Sequence, residues 1–383
     1  MSDASQSPAF LPHAINVASS YGFRPLRDVD PTMYRDTVGR QPISFDKAAI
    51  LCAHNTSTHD PEPVLAQYLI PAPATKGRAG SGAEPIPSTF CLHTSGSPHS
   101  MSEALVIKAT MMTLTEYGTA VDRVRINTTG DRDSRERFQR ELSAFVKRRF
   151  AAPSCDIPEE SRTAVLERPI FLLESAEPSL ADIAREAPQP IHYLSERART
   201  HLRNVLEHLE HLGIPYEIDG SLYDREREPR FLFRFDLGDD TSSIACAHGG
   251  RYDEYVTRLT GRRENATVQA SIIFNQKKAA TVATAPAATP RAYLVHLGWR
   301  AKLHGFEVVD ILRNAGIPAI HTFDASRISP QLEAAQRTGA CFTVIMGERE
   351  ARDHTVILRR LSDNSQETVT LLALPKIVKK WAK

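Results

Sequence analysis

The 383-residue sequence lacks the features that would assign it to a class of protein at once. Its formal net charge at pH 7 is only +1, so overall charge selects no partner. Its five cysteines form no C-x-x-C pair, which is typical of reduced thiols in a cytoplasm. No apolar run approaches the roughly 18 to 20 residues that a membrane-spanning helix needs. Its start shows no basic and apolar secretory signal, so we expect a cytoplasmic protein that does not bind membranes.

The composition, with 41% hydrophobic and 24% charged residues, is that of a globular protein of two or three domains. The uncharged, Pro-punctuated segment 279–290 is predicted to be a linker between residues 1–278 and 291–383. The Pro- and Gly-rich stretch 71–87 is predicted to be an irregular loop. Residues after the linker include 14 Lys and Arg but 9 Asp and Glu, which suits either a nucleic-acid backbone or an ordinary solvated surface.

The residues after the linker alternate between strand and helix patterns, which predicts a small α/β domain. The continuous apolar run 341–346 is typical of a central strand in a parallel sheet. The other predicted elements are strands at 293–297 and 317–323, helices at 299–312 and 330–338, and a closing hairpin of 356–358 with 368–372.

The larger domain is predicted to combine an antiparallel sheet with helices. An apolar stripe predicts a helix over 196–212, with Ser195 as its N-cap and Gly213 at its end. We expect the histidines of this helix, at 201, 208 and 211, to lie on a solvated face rather than at a metal site. Strands are predicted at 230–237 and 242–247, and at 124–127 before a helix that Asp133 or Ser134 caps.

The segment His248-Gly249-Gly250-Arg251-Tyr252-Asp253 follows a predicted strand and carries the candidate binding residues. Glycines at this place admit either a ligand against the main chain or a bulge and tight turn. Tyr252 offers a ring and a hydroxyl, and Arg251 a planar fork for carboxylate or phosphate. We therefore predict ligand binding at Gly249, Gly250, Arg251 and Tyr252, with a simple bend and a solvated arginine as the alternative.

Two other clusters have metal-ligating residue types but fit no common site. Cys52, His54, His59 and Asp60 lack the paired short motifs of zinc sites. The acidic turn of Asp236, Asp239 and Asp240 suits a hairpin loop, and a magnesium site would need carboxylates converging from separate elements. We expect no metal at either.

Seven segments, in order, resemble the histidyl-tRNA synthetase family of class II aminoacyl-tRNA synthetases. They are YGFRPL at 21–26, RINTTGD at 125–131 with Ser134-Arg135, 187–195, LGIPYEI at 212–218, GGRYD at 249–253, TGACF at 338–342 and IMGE at 345–348. The resemblance implies an α+β fold: a class II synthetase-like antiparallel sheet core with flanking helices, then a small α/β anticodon-binding-like domain. It also implies tRNA or other RNA as a partner, a homodimer through 21–26, and a histidine pocket at GGRYD.

The sequence departs from this family where the phosphates of ATP are handled. No Phe-Arg-x-Glu occurs at 71–87, and Asn275 and Gln276 stand where the family has glutamate and arginine. The family's RGLDYY segment is replaced by 224–229, which leaves Arg225 as the candidate catalytic residue and the others unknown.

We therefore expect a catalytically degenerate relative that binds tRNA or related RNA, and a small amino-acid-like ligand. One alternative is an active histidine–tRNA ligase whose clamps are Arg225, Arg227, Arg230 and Arg251. Only in that case would ATP and Mg²⁺ be used, and otherwise no cofactor is expected. The other alternative is a protein-interaction or regulatory scaffold akin to the regulatory subunit of ATP phosphoribosyltransferase.

Overall fold

A computed structural model describes residues 9–26, 44–55, 63–70, 86–151, 157–175, 177–224, 226–238, 244–262, 265–276, 291–321 and 327–381. These residues form an N-terminal unit on an eight-stranded sheet and a C-terminal unit on a five-stranded sheet. The predicted linker 279–290, Arg225, and most of the predicted loop at 71–87 lie outside the described residues. The loop is shorter than predicted, because its last two residues already belong to a strand.

The N-terminal unit surrounds its sheet with helices. Its strands are β1 (Arg24–Pro25), β2 (Val64–Ile70), β3 (Ile86–Ser95), β4 (Val121–Thr128), β5 (Tyr216–Ile218), β6 (Phe231–Leu237), β7 (Ile244–Arg251) and β8 (Thr267–Gln276). Its helices are α1 (Phe10–Ser20), α2 (Phe45–Asn55), α3 (Met101–Tyr117), α4 (Arg132–Phe150), α5 (Glu159–Glu167), α6 (Phe171–Glu174), α7 (Pro178–Glu186), α8 (Glu196–His211) and α9 (Asp253–Thr260).

The strand order of the large sheet is β1-β2-β3-β8-β7-β6-β4-β5. Among the described strands of this sheet, only the edge pairs β1–β2 and β4–β5 are parallel, so the predicted mainly antiparallel sheet is confirmed. Alternate residues of β6, such as Phe231, Phe233 and Phe235, lie on one face and pack into the core with α1 and α3. Helix α3 is buried on nearly all sides, as expected of a helix at the centre of a unit.

Two helices of the N-terminal unit, α8 and α4, have side-chain N-caps, and the cap of α4 differs from the prediction. The Ser195 hydroxyl accepts a hydrogen bond from the Ala198 amide at 3.1 Å, so the predicted N-cap of α8 is confirmed. Helix α4 is capped by Asp131, whose carboxylate accepts from the Ser134 amide at 3.0 Å. The prediction of Asp133 or Ser134 as its cap was wrong, because both residues already lie within the first helical turn.

The C-terminal unit has the predicted alternating architecture. Its elements are β9 (Ala292–His296), α10 (Trp299–Asn314), β10 (Ala319–His321), α11 (Ile328–Arg337), β11 (Phe342–Met346), α12 (Glu348–Asp353), β12 (Thr355–Arg360), β13 (Gln366–Thr370) and α13 (Leu374–Trp381). The order is β10-β9-β11-β12-β13, with β11 central as predicted and β12–β13 forming the predicted hairpin. Helix α13 is an element that the sequence analysis missed. No helix of the described segments has the length and apolar character needed to cross a bilayer.

The two units meet along α8 and α10. His208 is fully buried, its ring lies 4.4 Å from that of Trp299, and its Nε2 lies 3.1 Å from the Ser100 hydroxyl. His211 meets His304 edge to face at 5.7 Å. The expectation of a solvated histidine face was therefore wrong for His208, because the C-terminal unit covers that part of α8.

A second contact between the two units involves Tyr21, which lies in the segment 21–26 that resembles the dimer motif of the family. The Tyr21 hydroxyl donates to Asp310 at 2.5 Å, and the Lys108 ammonium lies 3.2 Å from the same carboxylate. Arg313 donates to Glu116 at 2.7 Å. Tyr21 thus holds the C-terminal unit of its own chain, and the homodimer stays a prediction.

We expect the folded state to lose stability on mild acidification, in part through His208. Burial lowers the pKa of His208 to about 4, whereas an unfolded chain titrates near 6.5. Below pH 6.5 the unfolded chain therefore binds the proton first, and stability falls as the pH drops towards 4. Replacing His208 by Phe, which keeps a ring against Trp299, should remove about 2 kcal/mol of the stability difference between pH 7 and pH 5.

Urea unfolding at the two pH values measures this difference. The control is H192F, which makes the same substitution at an exposed histidine. An H208F variant with the same pH dependence as the unaltered chain would show that His208 is not neutral in the fold.

Candidate functional site

The large sheet has a polar face opposite the face that packs on α1 and α3. Strand pairing places two rows of residues there, since directly paired residues share a face and so do residues two apart along a strand. The first row, in pairing order, is Tyr68, Cys91, Ser271, His248, Arg234 and Arg125. The second row is Ala66, His93, Gln269, Gly250, Leu232 and Asn127.

The centre of the polar face is a hydrogen-bonded group around Gln269. The Gln269 side-chain oxygen accepts from the Tyr68 hydroxyl at 2.9 Å and lies 3.4 Å from His93 Nδ1. Its amide nitrogen donates to the Ser271 hydroxyl at 3.3 Å. Burial lowers the pKa of His93 to about 4, so its imidazole is neutral at neutral pH. His93 Nε2 is buried without a hydrogen-bond partner among the described residues, which leaves one polar atom at the centre of this face unsatisfied.

Aromatic residues from α2 and α9 flank this group. The Phe45 ring lies 6.4 Å from His93 and 5.1 Å, edge to face, from Tyr252. The Arg227 guanidinium lies 4.6 Å above the Phe45 ring, within the range of a cation–π contact. It favours the charged forms of Tyr68 and Tyr252, although burial raises the pKa of both phenols. Around Gln269, the polar face therefore combines neutral hydrogen-bonding groups with the positive charge of Arg227.

The two glycines of GGRYD are explained by the packing of neighbouring strands. A Cβ on Gly249 would lie 2.1 Å from the Gln269 carbonyl oxygen and 2.4 Å from the Phe233 ring. A Cβ on Gly250 would lie 2.6 Å from the Phe231 carbonyl oxygen. Both positions exclude a side chain before any ligand is considered, so the glycines alone do not indicate binding.

Arg251 points to the opposite face of the sheet, where protein groups occupy its guanidinium. It is 2% exposed, and its Nη1 lies 3.1 and 3.2 Å from the two carboxylate oxygens of Glu103. Its Nε donates to Asp253 at 2.8 Å and its Nη2 to the Ser97 carbonyl at 3.1 Å. His201 Nε2 completes the group at 2.6 Å from Glu103.

The electrostatics of this buried group favour the charged forms of Glu103 and Arg251. Burial opposes the charge on Glu103, but Arg251 and His201 outweigh it and hold the pKa of Glu103 at about 2. Arg251 likewise keeps its charge despite burial, because Glu103 and Asp253 raise its pKa. The alternative prediction was a simple bend with a solvated arginine. It is wrong for Arg251, since protein groups enclose this side chain.

The predicted binding residues are thus divided between the two faces of the sheet. Gly250 lies in the polar rows and Tyr252 beside them, whereas Gly249 and Arg251 face the core. Arg230 is bonded to Asp253 at 3.3 Å, and Asn275 is exposed at the end of β8. Ligand binding by the four predicted residues stays a prediction.

The candidate metal clusters are only partly described. Cys52 is buried on α2, where burial raises the pKa of its thiol, and Asp236 pairs with Arg125 at 2.7 Å. Within the described ranges no group of three or more His, Cys, Asp or Glu is arranged to hold a metal ion. The residues at 59, 60, 239 and 240 lie outside those ranges.

Sequence reasoning missed the polar group on β2, β3 and β8. Tyr68, His93 and Gln269 each sit at an alternate position of their strand, which was the available signal. Alternation alone was not sufficient, because it does not show which strands are neighbours. Tyr68 and Gln269, for example, are 201 residues apart in the sequence.

Comparison with known proteins gives three kinds of match. Residues 292–381 match the family model described as an anticodon binding domain. Histidine–tRNA ligase of Thermosynechococcus vestitus is 29% identical over 278 residues, 72% of this chain and 64% of that protein. Histidine–tRNA ligase of Rhodococcus erythropolis is 28% identical over 258 residues, 65% of this chain and 58% of that protein. The chain therefore spans less than two thirds of the length of these relatives.

A solved structure, histidyl-tRNA synthetase from Nostoc sp. PCC 7120, aligns with 98% of this chain and 95% of its own at 15% identity and a TM-score of 0.42. The mainly antiparallel sheet with flanking helices, followed by the matched anticodon-binding domain, confirms the predicted class II synthetase-like α+β fold.

The buried Glu103–Arg251 pair makes a testable contribution to stability. Replacing Glu103 by Gln should lower the free energy of unfolding by about 3 kcal/mol or more, because it leaves the Arg251 charge buried with less compensation. The double variant E103Q/R251M removes both charges and should recover part of that loss. Urea unfolding of the two single variants and the double variant gives the coupling energy. Additive losses would contradict a direct pairing.

Proposed function

We propose that this chain, which belongs to the histidyl-tRNA synthetase family, binds tRNA or a structurally related RNA and no longer activates an amino acid. In this proposal residues 292–381 contact the RNA, and the polar face of the large sheet holds a small amino-acid-like ligand. The matched anticodon-binding domain and the histidine–tRNA ligase relatives support the RNA partner.

The position of Arg251 is the main support for the proposed loss of amino-acid activation. Aminoacyl adenylate formation builds negative charge on phosphate oxygens, which arginines or metal ions must stabilise. The guanidinium of Arg251 is bonded to two carboxylates and a carbonyl on the core face, away from the polar rows. Turning it towards a phosphate would leave Glu103 buried and short of a partner, which is costly. Asn275 and Gln276 at the end of β8 add to this argument, because neither side chain carries a positive charge for a phosphate.

The polar face supports a small ligand with hydrogen-bonding groups. Neutral His93, Tyr68 and Gln269 supply donors and acceptors, and Arg227 supplies a positive charge for a carboxylate. Apolar sides with a few converging polar groups are typical of small-molecule sites, and Phe45 and Tyr252 provide such sides here.

Histidine-dependent exchange between ATP and pyrophosphate tests the loss of activation. We expect this chain to exchange at the background rate of a protein-free sample, with a histidine–tRNA ligase from a relative as the positive control. Exchange above background would overturn the proposal. It would favour the active-ligase alternative, in which Arg227, beside the polar face, is the first clamp to substitute.

Binding experiments test the other two parts. A tRNA pool should bind with an affinity that falls steeply as salt rises, because phosphate contacts release counterions. Histidine should raise the melting temperature of the unaltered chain but not of Q269L, whose RNA binding should be unchanged. An absence of both RNA binding and ligand-induced stabilisation would instead favour the scaffold alternative.

A further inference from the structure

We propose that the exposed face of α13, formed by Lys376, Lys379 and Lys380, is a contact surface for RNA phosphates. This inference rests on the proposed function and names the surface that would carry it. The match to the anticodon binding domain covers residues 292–381 and does not single out these lysines.

The geometry of α13 separates an anchored side from a charged side. Leu374 and Val378 are fully buried in the core of the C-terminal unit, and Ile377 packs against them. The three lysines are exposed and fall on the opposite side of the helix, because the spacing i, i+3, i+4 brings them together. No lysine of this face has an ion-pair partner within the part of the chain that the structure describes.

Helix stability alone does not account for this arrangement. Lys379 and Lys380 lie in the last turn, where the helix dipole favours cations. Lys376 lies in the first turn, where the dipole disfavours a cation, and that turn contains no acidic residue. Three like charges on one small surface also repel one another, so a polyanion is the partner whose charge this face complements.

Neighbouring groups extend the surface at the carboxyl end of α13. The Arg360 guanidinium lies 4.9 Å above the ring of Trp381, which is half-buried. An arginine stacked on an indole next to lysines offers a flat surface for a base, although its charge is shared with Asp363 at 3.6 Å. At the other end of the helix, Leu372 is 96% exposed.

The same features favour RNA over a membrane surface. A helix that lies in a membrane interface buries its apolar face in the lipid. In α13 that face is already buried against the C-terminal unit, so only the charged side is free. A single exposed leucine adds little insertion energy.

The test compares RNA binding by two triple variants of the full-length chain. K376Q/K379Q/K380Q removes the α13 face. R140Q/K147Q/R148Q removes the same number of exposed charges from α4 in the N-terminal unit and serves as the matched control. All six residues are exposed, so both variants should fold, which circular dichroism melting verifies. Affinity for a tRNA pool is measured by fluorescence anisotropy at several salt concentrations.

We expect the α13 variant to lose about tenfold or more in affinity and its salt dependence to decrease by about 2 in log–log slope. The α4 variant should bind as the unaltered chain does. Equal binding by the α13 variant and the unaltered chain would overturn this inference and leave the proposed function standing. Failure of the unaltered chain to bind RNA would overturn the proposed function itself. Binding to phosphatidylserine vesicles that the α13 variant loses, with RNA binding intact, would assign the face to membranes instead.

Discussion

The buried pair of Glu103 and Arg251 is the interaction on which the architecture of the N-terminal unit depends. Both side chains are removed from water, which costs several kcal/mol for each ion unless their charges and hydrogen bonds are matched. The match is supplied by His201 and Asp253 and by the Ser97 carbonyl, so four separate elements (α3, β7, α8 and α9) and a loop must meet at one place. Because the partners are 148 residues apart, this pair fixes α3 against β7 in a way that local sequence cannot.

The pair also decides which side of the sheet can carry a site. Side chains alternate along a strand, so an arginine on the core face of β7 sends Gly250 and His248 to the other face. A slip of one residue would exchange the two faces and bring apolar side chains to the polar rows. The same register that buries the core therefore assembles Tyr68, Gln269 and His93 into a group.

Sequence periodicity predicted the elements whose signal is local. The apolar stripe and caps identified α8, and the continuous apolar run identified β11 as a central strand. Long-range packing was not accessible in this way. His208 has the sequence environment of a solvated position, and only the arrival of Trp299 from the other unit buries it. GGRYD was recognised as a special segment, but packing against Phe233 and the carbonyls of Gln269 and Phe231 already excludes side chains at its glycines, so the glycines alone do not indicate a ligand.

Helix α3 connects the core face of the large sheet and the C-terminal unit as one rigid element. Glu103, in its first turn, holds Arg251, whereas Lys108 and Glu116 further along hold Asp310 and Arg313. These positions span about 20 Å at the helical rise of 1.5 Å per residue. A displacement of the C-terminal unit must therefore either break the two outer ion pairs or move α3. Moving α3 would disturb the buried carboxylate that fixes β7, so the outer pairs, which are more exposed, are the ones that such a displacement would break first.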